Sequence, residues 1–319
     1  MTQQPKVVAV TGASGYIGAT LLRHLEVAGG LDKLVAIDTR SLPFPVHNIV
    51  AYRMDVTQSI SEILADNNVS TVVHLAFDSR RGRNRREVSE IREANLNALR
   101  GVLESCARAE VQHIIYLSSQ TVYGARPGNP IPLTVRAPLR ATADFPYGYD
   151  KLLSEQAIQE FSEHQGNTKV TILRSCPVLG PTAAGDVTQM FFKRWHLEVE
   201  NYTPPLQFLY EGDLARVLNL FIERAITGTF NVAGDGVVFY REMAGIMKSR
   251  LVSLPSFLAY PMVQMAWNLH LQRYSPASAL NLVRYPIVMS TGTLRQATGY
   301  RFWHTSMETL TAYANSNLP

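Results

Sequence analysis

The chain has 319 residues, 46% hydrophobic and 18% charged, a globular balance that excludes a long disordered tail and supplies enough apolar side chains for a large core. Lysine and arginine number 30 against 26 acidic residues, giving a formal charge of +4. This suits an anionic small molecule or a membrane surface and falls short of a nucleic-acid signature, so no nucleic-acid partner is expected.

In chain order, the start MTQQPK passes directly into VVAVTG with no long apolar stretch, so no secretory signal is expected and the protein reads as cytoplasmic. VVAVTG (Val7 to Gly12), KLVAIDT (Lys33 to Thr39), IVAYRMD (Ile49 to Asp55), TVVHLAF (Thr71 to Phe77) and VQHIIYLSS (Val111 to Ser119) are short β-branched runs of the kind that form buried parallel strands. Helical patterns separate them, among them YIGATLLRHLEVAGG and the stretch from Arg86 to Ala109. A βαβα alternation predicts an α/β fold with a doubly wound parallel sheet covered by helices on both faces, binding ligands beyond the carboxyl ends of its strands. Cys106 and Cys176 sit in apolar surroundings without metal-like spacing, so neither a disulfide nor a metal site is expected.

After TKVTILR (Thr168 to Arg174) the rhythm breaks, and proline, glycine and helical patterns take over. The predicted organisation is a dinucleotide-binding domain over 1–175 and, over 176–319, a smaller, mostly helical substrate lobe with some segments returning to the first domain. Within the lobe, LVSLPSFLAYPMVQMAWNLHL (Leu251 to Leu271) carries no charged residue over about twenty positions, the length of a membrane span. Its two prolines, Asn268 and His270 favour a buried or cleft-lining helix, with a membrane-surface helix next and a span last.

TGASGYIG (Thr11 to Gly18) follows the first strand and opens the first helix, the context of a dinucleotide fingerprint. Gly12 permits the tight turn, Gly15 a close approach to pyrophosphate, and Gly18 close helix–sheet packing, with Ser14, Tyr16 and Ile17 in the same loop. Asp38 ends the second strand, where an acid accepts hydrogen bonds from ribose hydroxyls and repels a 2′-phosphate; NAD is therefore expected over NADP, with Arg40 as partial compensation for a phosphate. In PYGYDK, Tyr147 and Lys151 stand one helical turn apart and share a face.

Together with MDVT, HLAF, YLSSQTVYG, RSCPVLGP and LQFLYEGDLARVL, these stretches resemble the extended short-chain dehydrogenase/reductases, in particular the NAD-dependent epimerase/dehydratase group, over nearly the whole chain. The resemblance implies a Rossmann fold and a catalytic set of Tyr147 as acid/base, Lys151 as its electrostatic support and ribose ligand, and Ser119 as hydrogen-bond partner of the substrate oxygen. It further implies Asp55 and Val56 beside adenine, Leu75, Ala76 and Phe77 along pyrophosphate and ribose, and Cys176 or Pro177 near nicotinamide. Asn95 is named with the cofactor set, though a structural role is the commoner one in such folds; Val56, Ala76 and Phe77 also read as plain core. A homodimer through the helices of Asn95 and Tyr147 is implied as well, with Leu96, Leu99, Leu103, Leu152 and Leu153 serving an interface or the core.

The sequence departs from that pattern in two places. Gln120 and Thr121 stand where dehydratases of the family carry an Asp-Glu pair, which argues against dehydration. Pro177 and Leu206 stand where nucleotide-sugar enzymes carry an asparagine and a diphosphate-binding arginine, which weakens the case for a UDP-sugar. The basic run RRGRNRR (Arg80 to Arg86) reads as a solvated loop, or as a face toward an anionic substrate or phospholipid headgroups. The expected function is an NAD-dependent oxidoreductase or epimerase acting on a secondary alcohol, a sugar derivative or an apolar alcohol. A nucleotide-sugar 4-epimerase is the alternative within the class, and a non-catalytic NAD-binding regulatory or membrane-associated protein the alternative outside it.

Overall fold

The β-branched runs of the first half become the strands they predict in the computed structural model, which describes residues 6–45, 47–164, 167–183, 194–272 and 276–318. They are β1 (Val7–Thr11), β2 (Lys33–Asp38), β3 (Ile49–Arg53), β4 (Thr71–His74), β5 (His113–Ser119) and β6 (Lys169–Ser175). All pair in parallel, and a seventh strand, Gly228–Val232, joins the outer edge of β6, so the sheet runs Gly228–Val232, β6, β5, β4, β1, β2, β3. The helices between the early strands are α1 (Tyr16–Ala28), α2 (Ser61–Asp66), α3 (Arg85–Arg108) and α4 (Pro146–His164).

Side chains alternate across a pleated strand, so each strand feeds two cores. From β1, Val8 and Val10 pack with Leu21, Leu22 and Leu25 of α1 and with Leu214, Val217, Leu218 and Phe221 of the helix Glu211–Arg224. Val7 and Ala9 face the other way, onto Leu64 of α2, Leu99, Val102 and Leu103 of α3, and Ile158 of α4. Leu99 and Leu103 therefore belong to the core; Leu96, Leu152 and Leu153 are half-buried. Burial on both faces explains why these strands read as continuous apolar runs rather than as alternating ones. Chain order reverses between β1 and β4, and this switch point fixes where the main cleft opens.

Beyond Ser175 the smaller, mostly helical region holds the helices Tyr240–Ile246, Ser256–Asn268, Gly292–Thr298 and Ser306–Asn317, and three two-stranded ribbons. Its own core gathers Leu179, Phe208, Val238, Met243, Leu310 and Tyr313. Polar stitches join it to the sheet. Asn231, fully buried on the seventh strand, accepts the Tyr123 hydroxyl at 2.7 Å and donates to the carbonyls of Leu133 and Ser290. Asp213, also fully buried, accepts the Tyr300 hydroxyl at 2.6 Å and the amides of Trp303 and His304.

The uncharged segment from Leu251 to Leu271 corrects the expectation of a buried or cleft-lining helix. Its first residues belong to the strand Arg250–Leu254, paired in parallel with Trp195–Val199. Pro255 is the N-cap of the helix Ser256–Asn268, whose 13 residues span about 20 Å. The outward face stays in solvent, with Phe257 72%, Leu269 61% and Met265 58% exposed. Hydropathy records composition, not whether a neighbour covers the surface, and here none among the described residues does. No helix among the described residues is long and apolar enough to cross a membrane.

Candidate active site

Because the strands are parallel, the residues that follow them collect at one edge of the sheet. There they line a cavity of about 890 Å³. Its floor begins at the turn after β1. Gly12 has φ +69°, and a β-carbon there would lie 2.6 Å from the amide nitrogen of Ala76, so only glycine lets the β1 and β4 loops approach this closely. A β-carbon on Gly18 would lie 2.2 Å from the Gly12 carbonyl oxygen, which holds the first turn of α1 tight against the loop. The amides of Tyr16, Ile17 and Gly18 in the first turn of α1 line the cavity, a cradle for an anionic group.

β5 delivers Ser119 at its last position, where the side chain accepts hydrogen bonds from the Thr121 amide and hydroxyl. Pro146 opens α4, as suits a residue with no amide hydrogen, and sets Tyr147 in the first turn and Lys151 in the next. Burial raises the Tyr147 phenol's pKa, and the Ser119 hydroxyl and the nearby Arg81 guanidinium pull it back. Lys151 donates to the Leu117 carbonyl at 2.9 Å and to the Tyr116 hydroxyl at 3.2 Å. Its ammonium lies 3.9 Å from the centre of the Phe77 ring, which meets the Tyr147 ring edge-on at 5.7 Å. Burial pulls the Lys151 pKa from 10.5 down to about 7, opposed by Glu155 one turn on. Glu155 is itself clamped by the buried Arg174, at 2.6 Å, and by the Ser118 hydroxyl.

Of the residues expected from sequence, Gly12, Ser14, Gly15, Tyr16, Ile17, Gly18, Leu75, Phe77, Ser119, Tyr147, Lys151, Cys176 and Pro177 line this one cavity. Asp38, Asp55, Val56, Ala76 and Asn95 do not. The Asp38 carboxylate stands at the end of β2 and accepts the amides of Ser14 and Arg40, each at 2.9 Å. Asp55 is exposed and accepts the Thr57 amide in a turn. Val56 and Ala76 pack in the core beneath α3, the plain-core role open to them from sequence. Asn95 pins the loop after β4 by accepting the Asp78 amide at 2.7 Å and donating to its carbonyl. Cys176 is a buried free thiol whose pKa is pushed up by burial.

Sequence reasoning missed Tyr116, the Lys151 partner, although it sits in the same buried strand. It also missed Arg23 as a wall residue. In the run RRGRNRR, Arg80 pairs with Asp78 and Arg86 with Glu90, while Arg81 faces the cavity. Most of the far wall comes from segments remote in sequence, with Phe208, Met243, Leu282, Val283 and Ile287 apolar and His196 and Gln207 polar, while Phe145 and Gln120 come from beside Tyr147 and Ser119. No local spacing connects the remote positions.

A model of the family described as "NAD dependent epimerase/dehydratase family" matches residues 8–233. An uncharacterized protein of Mycobacterium tuberculosis is 24% identical over 317 residues, covering 98% of this chain and 84% of that one. The UDP-glucose 4-epimerase of Yersinia pestis is 29% identical over 190 residues, covering 56% of this chain and 55% of that protein. Among solved structures, UDP-glucose 4-epimerase of Thermotoga maritima with UDP-glucose superposes with a TM-score of 0.76 at 18% identity, over 97% of this chain and 98% of that one. The Thermus thermophilus UDP-glucose 4-epimerase complex with NAD gives 0.75 at 20% identity, over 97% and 98%.

Proposed function

From the premise that the chain belongs to the NAD dependent epimerase/dehydratase family, we propose that it is an NAD-dependent oxidoreductase or epimerase of a secondary alcohol carried on a largely apolar body, with Tyr147, Lys151 and Ser119 as catalytic residues. The observation that carries this reading is the convergence of those three side chains in one cavity with the phosphate-loop cradle. The amides of Tyr16, Ile17 and Gly18 at the start of α1 would hold the pyrophosphate, and Asp38, an acid at the end of β2, favours a free ribose over a 2′-phosphate. Nicotinamide, when bound, supplies the carbon that takes up or returns a hydride.

The chain's own residues handle the proton and the oxygen. Ser119 hydrogen-bonds the alcohol oxygen as it becomes a carbonyl, and Tyr147 accepts the hydroxyl proton. A phenol is a poor base at neutral pH, so it needs positive charge nearby. Arg81 supplies some of that charge. Lys151, oriented by Leu117 and Tyr116, would hold the nicotinamide ribose and supply more of that charge. Positioning and electrostatics of this kind account for most of the acceleration in such reactions.

An apolar substrate body is supported by Phe145, Phe208, Met243, Leu282 and Val283 on the far wall, and by Leu206 in place of a diphosphate-binding arginine. A second reading, a nucleotide-sugar 4-epimerase, is favoured by the likeness to UDP-glucose 4-epimerases in sequence and fold. Native mass spectrometry of the purified protein identifies the retained nucleotide, and a turnover panel then separates the readings. Apolar secondary alcohols that reduce NAD support the first; interconversion of UDP-glucose and UDP-galactose without net NADH supports the second. Retained NADP with no NAD turnover overturns the cofactor assignment.

A further inference from the structure

The helix Ser256–Asn268 carries a stripe that the proposed chemistry does not use. Phe257, Leu258, Pro261, Met262, Met265 and Leu269 fall within a 140° arc of about 100° steps and all are exposed, while Ala259 and Trp267 on the opposite side are buried. A water-soluble surface does not ordinarily concentrate phenylalanine, leucine and methionine in one strip.

Charge says what covers it. From Met243 to Met307 there is no aspartate or glutamate, whereas Lys248, Arg250, Arg273, Arg284, Arg295 and Arg301 fall in this interval. The interval carries +6 within a chain of +4, and of these cations Arg284 is paired with Glu200 and Arg295 with Asp235. Arg194, Lys248 and Arg250 are exposed at one end of the ribbon formed by Trp195–Val199 and Arg250–Leu254, whose other end leads through Pro255 into the helix, about 17 Å away. Trp195, half exposed, lies under the Arg250 guanidinium at 5.4 Å. The acid at the helix start, Glu200, is taken up by Arg284 and Ser256. An apolar strip with exposed cations and a tryptophan at the far end of the adjoining ribbon fits the boundary between acyl chains and anionic headgroups. A second copy of the chain fits less well, since a twofold contact would bring this cationic region against itself.

We propose that the outward face of the helix Ser256–Asn268 docks on an anionic lipid bilayer surface. The helix's inner side is fixed to the segment Ala277–Val283 by the Tyr260 hydroxyl, which donates to Asn281 at 2.6 Å, and by Gln264, which accepts the Ala277 amide. Leu282 and Val283 of that segment line the catalytic cavity. Docking therefore sets the apolar wall of the cavity one layer from the bilayer.

The full-length protein is floated with vesicles of phosphatidylcholine alone and with vesicles containing an equal part of phosphatidylglycerol, and amide hydrogen exchange is followed in both. The expected result is flotation with anionic vesicles only, protection of 256–268 on their addition, and about a tenfold drop in the floated fraction for Phe257→Ser with Met265→Ser and for Lys248→Glu with Arg250→Glu. Circular dichroism checks that the variants fold, and the exchange measurement on the unaltered chain stands without them. No flotation and no protection overturns the proposal. So does a sedimenting dimer that the Phe257→Ser and Met265→Ser change converts to monomer, which would make the face a subunit contact. Turnover of a soluble alcohol by the proposed residues is measured separately, so failure of docking is distinguishable from failure of the catalytic reading.

Discussion

Replacing Lys151 with methionine should make the nucleotide-free protein more stable at mildly acidic pH. The ammonium is buried, and its pKa is lowered from 10.5 to about 7, chiefly by desolvation. Below pH 7 it is charged in both folded and unfolded states, so the folded state bears the full cost of a buried cation. That cost is about 5 kcal/mol, since each tenfold loss of proton affinity on folding corresponds to about 1.4 kcal/mol. Between 7 and 10.5 the folded lysine is neutral while the unfolded one still holds its proton. Stability therefore rises with pH across that window, and the cost is gone above it. Methionine fills similar space without charge but loses the hydrogen bonds to Leu117 and Tyr116, about 1 kcal/mol each. The expected gain for Lys151→Met is about 3 kcal/mol at pH 6, falling by about 3 kcal/mol by pH 9. Urea titrations at the two pH values would read this as a midpoint difference that shrinks by about 1 M. An offset that is independent of pH, or that grows as pH rises, refutes the argument that burial destabilises this cation.

Tyr147→Phe should lower turnover by about 10²–10⁴ while changing nucleotide affinity, measured by fluorescence titration, by less than about threefold. Gly12→Ala should abolish nucleotide retention in native mass spectrometry and destabilise the fold by about 2 kcal/mol or more, because its β-carbon would meet the Ala76 amide in a backbone conformation that alanine resists. Glu155→Ala leaves the buried Arg174 without its carboxylate partner and should cost about 3–5 kcal/mol in a urea titration.

Five of the early strands were legible in the sequence as β-branched runs, most plainly those buried on both faces, as HIIYLSS is; the edge strand β3 is largely exposed. Tyr147 and Lys151 were legible as a pair because residues four apart share a helix face, whereas Ser119 was reached only through the resemblance to the extended short-chain dehydrogenase/reductases. The strand Gly228–Val232 was not among the predicted strands, since GTFNV is short and carries a polar residue that only becomes a stitch once Tyr123 and Leu133 are beside it. The engagement of both Asp38 oxygens by backbone amides depends on how two loops meet, which no spacing encodes. The Leu251 to Leu271 segment misled because a run without charges is equally compatible with burial and with an uncovered surface, and only the neighbours decide.

The seventh strand has a consequence for how the molecule is built and how it moves. The polypeptide leaves the sheet at Ser175 and returns to it at Gly228, after the 52 residues of 176–227. The nucleotide half is thus topologically unfinished until late in synthesis, and a chain cut after 175 would leave β6 as a raw edge and Tyr123 without its Asn231 acceptor. Several backbone passages then connect the two halves where a single tether would permit a wide swing. That connectivity restrains a hinge-like opening of the cleft more than a single tether would.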